Sequence, residues 1–188
     1  MPERDLERLM AGYQQGDRSA ATTLIREVSP QLRRFFVIQL SSRRDADDLL
    51  QETWLRIHDV RHTYRPGEPL LPWLYAIARH VRIDHYRKQR RKSAREEHLQ
   101  DISQIAAAPQ AAQQEDANDL EVLLAELPES QREVIQMLKV SGMSIEEVAR
   151  ATSSSIGSVK QKAHRAYNKL RECLGATAFT KSGKGGAS

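Results

Sequence analysis

From Leu24 onward, apolar residues return at steps of three and four, and almost nowhere do they alternate with polar ones. That spacing lines one face of a helix and leaves a β-strand no inward side. Leu24, Ile25, Val28, Leu32, Phe35 and Phe36 form a first run, and Ala46, Leu50, Trp54 and Ile57 a second. Trp73, Leu74, Ile77 and Val81 form a third, which should run on to about Arg91. Pro66, Gly67, Pro69 and Pro72 break the chain ahead of it, and Pro72 suits a first helical turn. Nine glycines and few turn dipeptides agree with an all-α protein.

The pattern stops between 96 and 117. "QIAAAPQAAQQEDA" has no large apolar periodicity and reads as a flexible linker. Periodicity resumes with Leu120, Leu123, Leu124 and Leu127, then halts at Pro128. "PESQREVIQMLKV" starts a further helix, with Gly142 just past its end. Ser144 and Glu147 have the spacing of a capping box for a two-turn helix, "SIEEVARAT". The expected organisation is therefore a helical domain over 1–95, a linker over 96–117 and a small helical domain over 118–175. A Gly/Ser/Lys-rich tail over 176–188 is expected to be disordered.

The last helix opens with "SSSIGSVKQKAHRAYNKLREC". On a wheel of about 100° per residue, Val159, Ala163, Ala166 and Leu170 fall within about 80° of Ile156. The far side holds Gly157, Ser158, Gln161, His164, Arg165 and Asn168, with Lys160 on the flank. Alanines on the inner face allow a close neighbour. Amide, imidazole and guanidinium groups outside are those that read base edges or grip phosphates. A short helix, a tight turn and a basic second helix make a helix-turn-helix, whose second helix enters the major groove. A merely solvated amphipathic helix would share the wheel, but not the turn before it.

Between Arg79 and Arg95 stand eight Lys or Arg against one acid, Asp84. Tyr75, Arg79, Arg82, Tyr86 and Arg90 fall away from Leu74, Ile77 and Val81 on the wheel, so cations interleave with aromatics. Such a face tracks a phosphate backbone and stacks on bases. The preceding segment is acidic, with Asp45, Asp47, Asp48, Glu52 and Asp59 beside large apolar residues. Acids of this kind favour a helix N-terminus, and they also suit a protein partner.

Several function classes find no support. His58 and His62 share a face, but no Glu-x-x-His companion exists, and His80 and His85 are five apart, so no metal site is expected. No Gly-rich phosphate loop and no Ser/His/Asp or Cys/His set is present, so neither catalysis, a cofactor nor a small-molecule substrate is expected. The single cysteine, Cys173, excludes an internal disulfide and fits a small core residue. The N-terminus is charged from its third residue, unlike a secretory leader, and no apolar run approaches about 20 residues. The cytoplasm is the expected compartment.

Three stretches, "DADDLLQETWLRIH", "PWLYAIARHVRIDHYRKQRR" and "LPESQREVIQMLKVSGMSIEEVARATSSSIGSVKQKAHRAYNKLRECL", together resemble bacterial RNA polymerase sigma factors of the sigma-70 family, extracytoplasmic-function group. The likeness covers about residues 10 to 174. It implies a sigma-2-like helical bundle followed by a sigma-4-like helix-turn-helix domain, and a non-catalytic specificity subunit. Core RNA polymerase, through the clamp helices of its largest subunit, is the implied partner, with promoter DNA. An anti-sigma factor, often membrane-anchored, is the implied regulator.

By position, Asp45, Asp48, Leu49, Gln51, Glu52 and Leu55 look like the polymerase-binding surface. The loop from Tyr64 to Leu71, including Arg65, looks like the −10 reader together with Arg79, His80, Arg82 and Ile83; Tyr86 joins them from the wheel. Lys160, Gln161, His164 and Arg165 match the −35 readers, beside Ser158. The chain departs from the family at His80, where Asn is frequent, and at Pro72, where Thr is. Trp73 opens the reader helix on its core side and is expected to pack. A duplex-binding transcriptional activator that is no polymerase subunit is the main rival. A metal-dependent nucleic-acid enzyme is the other, and histidine spacing argues against it.

Overall fold

A computed structural model of the chain describes residues 3–40, 42–100 and 119–182, with side chains at 4–40, 42–92 and 120–174. Two compact units divide it, 1–113 and 114–188. Among the described residues all regular structure is helical.

The first unit holds four helices: α1 (Glu3–Gln14), α2 (Arg18–Gln39), α3 (Arg43–Val60) and α4 (Leu70–Gln100). α1 buries Leu6, Met10 and Tyr13, one per turn. It meets α2 closely: a Cβ built on Gly12 would stand 2.9 Å from the Ala20 Cβ. Gly16, at φ +87, turns the chain, a conformation that glycine adopts without penalty. The Asp17 carboxylate then accepts from the backbone N–H groups of Ser19 and Ala20, capping α2. α2 sends Leu24, Val28, Leu32, Phe35 and Phe36 inward, while Ile25 stays largely exposed. Phe35 meets both Phe36 and Tyr75 edge-on, each at 5.4 Å between ring centroids. The Ser42 hydroxyl caps α3 by accepting from Asp45 N–H. Trp54 of α3 is half-buried and donates its indole N–H to Ser29 Oγ at 2.9 Å, tying α3 to α2.

A single 3-10 turn (Arg61–Thr63) and a loop lead from α3 to α4. α4 passes the expected end near Arg91 and reaches Gln100. Lys, Arg, Ala, Glu and Gln dominate 91–100 and sustain a helix, so α4 runs on into the first residues of the expected linker, 96–100. The remainder of the expected linker, 101–117, lies outside the described residues.

The second unit holds α5 (Asp119–Ala125), α6 (Glu129–Ile135), α7 (Ile145–Ala151) and α8 (Ile156–Ser182). α8 packs on α5, α6 and α7. The helix expected over "PESQREVIQMLKV" changes character at Gln136, where five residues form a π-turn closed by Ser141 N–H donating to the Gln136 carbonyl. Gly142, at φ +69, ends it. The capping box is present in both directions: Glu147 N–H donates to Ser144 Oγ at 3.2 Å, and Ser144 N–H donates to Glu147 Oε2 at 2.7 Å. The core gathers Leu124, Leu127, Val134, Ile135, Met137, Met143, Val148, Val159 and Ala166. α8 continues to Ser182, so the tail expected to be disordered from 176 is helical through 182, a stretch without Pro or Gly to stop it; 183–188 lie outside the described residues.

Candidate nucleic-acid interface

The end of α7 and the start of α8 are joined by a four-residue turn in which Ser153 takes φ +49, a left-handed conformation unusual for serine. Ser155 Oγ accepts from Ser158 N–H at 3.2 Å and starts α8. Val159, Ala163 and Ala166 are buried, and with Ala149 and Ala151 of α7 they let the two helices approach closely. The opposite face presents Lys160, Gln161, His164 and Arg165, all exposed, with Ser158 half-buried at their edge. Asn168 Nδ2 lies 3.1 Å from His164 Nε2 and steadies the imidazole. Sequence reasoning found this face; it erred on Ile156, which is exposed, and on Leu170, only half-buried.

On α4 the outcome is mixed. His80 is exposed, its Nδ1 2.7 Å from the Ala76 carbonyl. Arg79 and Ile83 are half-buried, and Tyr86 is 54% exposed, with the Arg90 guanidinium 5.9 Å from its ring centroid. Arg87, Lys88, Arg91 and Lys92 extend an exposed basic strip. Tyr75 and Arg82, however, do not belong to that face: Tyr75 is fully buried against Phe35, and Arg82 is 6% exposed. α1, α2 and α3 all pack on α4, so its inward face is wider than a stripe of aliphatic residues suggests.

The loop before α4 is built rather than loose. Arg65 is exposed, as expected of a reader, but Tyr64 is 3% exposed. Its ring meets Trp73 edge-on at 5.6 Å and its hydroxyl donates to the Glu68 carbonyl. Tyr64 is thus the anchor of the loop, and Gly67 at φ +91 turns its tip. α1 contributes residues that the sequence reading passed over. Gln14 Nε2 donates to the carbonyls of Arg61 and Tyr64, at 2.6 and 2.9 Å. Tyr13 Oη lies 2.8 Å from His58 Nδ1, and the Arg61 guanidinium sits over the Tyr13 ring at 5.6 Å. Burial raises the pKa of that phenol above its usual value, so it stays protonated. The signal for α1 was present in the spacing of Leu6, Met10 and Tyr13.

The acidic surface lies on α3. Asp48, Gln51 and Leu55 are exposed, and Asp45 and Glu52 are half-buried. Leu49 is 3% exposed and belongs to the core with Ala46, Thr53 and Ile57, so it offers nothing to a partner. Glu52 accepts from Arg56 Nε at 3.2 Å, and Arg56 Nη1 donates to Asp84 of α4 at 2.9 Å. Arg87 approaches the same carboxylate at 3.9 Å. The hydrogen bond from Arg56 chiefly lowers the Asp84 pKa below the usual carboxylate range and raises that of Arg56. A carboxyl with a depressed folded-state pKa contributes stability above its unfolded value and loses it as pH falls through the folded one. Asp84→Asn should therefore flatten the loss of stability between about pH 5 and about pH 3. Urea midpoints followed across that range check this; slopes equal to those of the parent chain would show that the pair adds nothing.

Among the described residues no group of three or more His, Cys, Asp or Glu could hold a metal ion, and no helix is long and apolar enough to cross a membrane.

Comparison with known proteins matches residues 24–92 to "Sigma-70 region 2" and residues 117–170 to "Sigma-70, region 4". The RNA polymerase sigma factor CarQ of Myxococcus xanthus is 32% identical over 166 residues, 88% of this chain and 95% of CarQ. The ECF RNA polymerase sigma factor SigF of Caulobacter vibrioides is 31% identical over 90% of this chain and 94% of its own. Among solved structures, the sigma factor RpoE of Bartonella quintana, in complex with the anti-sigma factor NepR, aligns with a TM-score of 0.63 at 31% identity, covering 81% of this chain and 95% of RpoE.

Proposed function

We propose a division of labour for this chain, which belongs to the extracytoplasmic-function group of RNA polymerase sigma factors and is a non-enzymatic transcription initiation factor. The α3 surface of Asp45, Asp48, Gln51, Glu52 and Leu55 docks on core polymerase at the clamp helices of the largest subunit. Arg65 of the loop, with Arg79, His80, Ile83 and Tyr86 of α4, reads and opens the −10 element. Lys160, Gln161, His164 and Arg165 of α8, with Ser158, read the −35 element. Leu49, Tyr64 and Arg82 leave these sets for packing roles, because they are buried.

The observation that carries this reading is the pairing of two exposed basic faces, one per unit, with an acidic surface around an exposed leucine on a third helix. DNA accounts for the first two. It would repel the third, which calls for a protein. Binding of the two elements through one chain multiplies two modest affinities. The proposed regulator is an anti-sigma factor, as RpoE has in NepR, anchored in a membrane where the signal is external. The cytoplasm is then the place of action.

Transcription in vitro tests the whole reading. The chain, core polymerase and a library of promoter fragments should give starts at one shared two-element motif that vanish without the chain. Retention of duplex DNA by the chain alone, with no new starts, would favour an activator instead. Within that system Arg165→Ala should cost about 1–3 kcal/mol of −35 binding if the guanidinium contacts a base. Fluorescence anisotropy on matched and mismatched −35 duplexes reads it, and an unchanged preference would remove Arg165 from the readers.

A further inference from the structure

The loop between α3 and α4 contains Pro66, Gly67 and Pro69, and its own hydrogen bonds include Tyr64 N–H to the Arg61 carbonyl and Glu68 N–H to the Arg65 carbonyl, both 3.2 Å, and the Tyr64 hydroxyl to the Glu68 carbonyl. Further fixed points come from α1. Gln14 is half-buried at the C-terminal end of α1, 47 and 50 residues before the two carbonyls it holds. Both partners are acceptors only, so the group facing them must be the amide nitrogen, one N–H to each. Tyr13, beside it, holds His58 at the end of α3 and stacks under Arg61. The first helix thus grips the segment from His58 to Tyr64 from one side, and Trp73 of α4 grips Tyr64 from the other.

We propose that Gln14, seconded by Tyr13, is a positioning residue for promoter opening: it fixes the loop that presents Arg65 to the −10 element. This rests on the reading of the loop as the −10 reader. Ordering a Pro/Gly loop before DNA arrives removes the entropy loss that binding would otherwise carry. The first helix then acts on opening and on −10 selectivity without touching DNA or polymerase.

The test uses holoenzyme reconstituted from the full chain and core polymerase, on a promoter identified by the transcription assay. Gln14→Glu keeps the size and turns a donor toward two carbonyls into a carboxylate; Gln14→Met keeps the size and removes the donor. Both should associate with core polymerase and bind a −35 duplex like the parent. Both should slow opening, read by 2-aminopurine within the −10 element, by about tenfold, and narrow the preference for matched over scrambled −10 sequences. Leu6→Ala, buried in the same helix two turns away, lowers stability without touching the loop and should keep that preference. Gln14 variants with undiminished opening and preference would overturn the proposal. So would a Leu6 variant that loses preference equally, since that would reduce Gln14 to general stability. Arg65→Ala separates the two layers: if it leaves opening unchanged, the loop is no reader and the proposal falls with that reading. If it acts while the Gln14 variants do not, the clamp alone falls.

Discussion

Leu55→Asp should abolish holoenzyme assembly while leaving the fold intact. Leu55 is 65% exposed on α3, among Asp48, Gln51 and Glu52. An isolated exposed leucine needs no explanation, but one ringed by acids on a helix with its own buried stripe is well placed as an apolar anchor inside a polar rim. Burying a leucine side chain against a partner contributes about 1.5–3 kcal/mol. Asp loses that and also forces a carboxylate out of water, which adds a further cost. The expected sum exceeds about 3 kcal/mol, more than a hundredfold in affinity. Association with labelled core polymerase reads it directly. Retention of a −35 duplex and the helical circular-dichroism signal should not change, because the side chain lies in neither core nor reader. Leu49 is the contrast on the same helix: its truncation should act on unfolding, as its burial demands. Undiminished assembly with Leu55→Asp would move the polymerase surface away from this face of α3.

The helices and the exposed polar face of α8 were legible because they depend on local periodicity. Val159, Ala163 and Ala166 are one to two turns apart, so their burial fixes the exposure of Gln161, His164 and Arg165 whatever the helix packs on. The Ser144–Glu147 box is likewise local. What could not be read is what several helices decide together. Tyr75 and Arg82 fell on the wrong side of α4 because three helices cover it. Leu49 and Tyr64 stand where the family resemblance led us to expect functional residues, but the core claims them. The contacts of Gln14 span 47 and 50 residues and leave no trace in any window of the sequence. The π-turn at Gln136 replaces a continuous helix with no proline or glycine within it to announce the change.

Arg132→Ala should destabilise the second unit by about 2–4 kcal/mol, judged from charged hydrogen bonds of about 1.5–3 kcal/mol each that do not add fully. α5 ends at Ala125, and the chain turns into Pro128, which has no N–H to offer the carbonyls left over. Leu127 N–H reaches the Leu124 carbonyl at 3.1 Å, and Arg132 of α6 supplies further donors: Nε to the Leu124 carbonyl at 3.0 Å, and Nη2 to the carbonyls of Ala125 and Leu127 at 2.8 and 2.9 Å. A cation at the negative end of a helix adds attraction. The planar fork matters as well as the charge, so Arg132→Lys should recover only a minor part. Because the chain has two units, a global melting curve mixes them. Amide exchange in α5 and α6, compared with α2 and α3, isolates the effect. Exchange should quicken in the second unit alone. Since α8 packs on α5 and α6, −35 binding should weaken with it, and for every −35 sequence alike. That uniform loss distinguishes a residue that holds the reader's scaffold from Arg165, whose removal should blunt the preference itself. Protection in α5 within about 0.5 kcal/mol of the parent would show that water replaces the guanidinium at little cost.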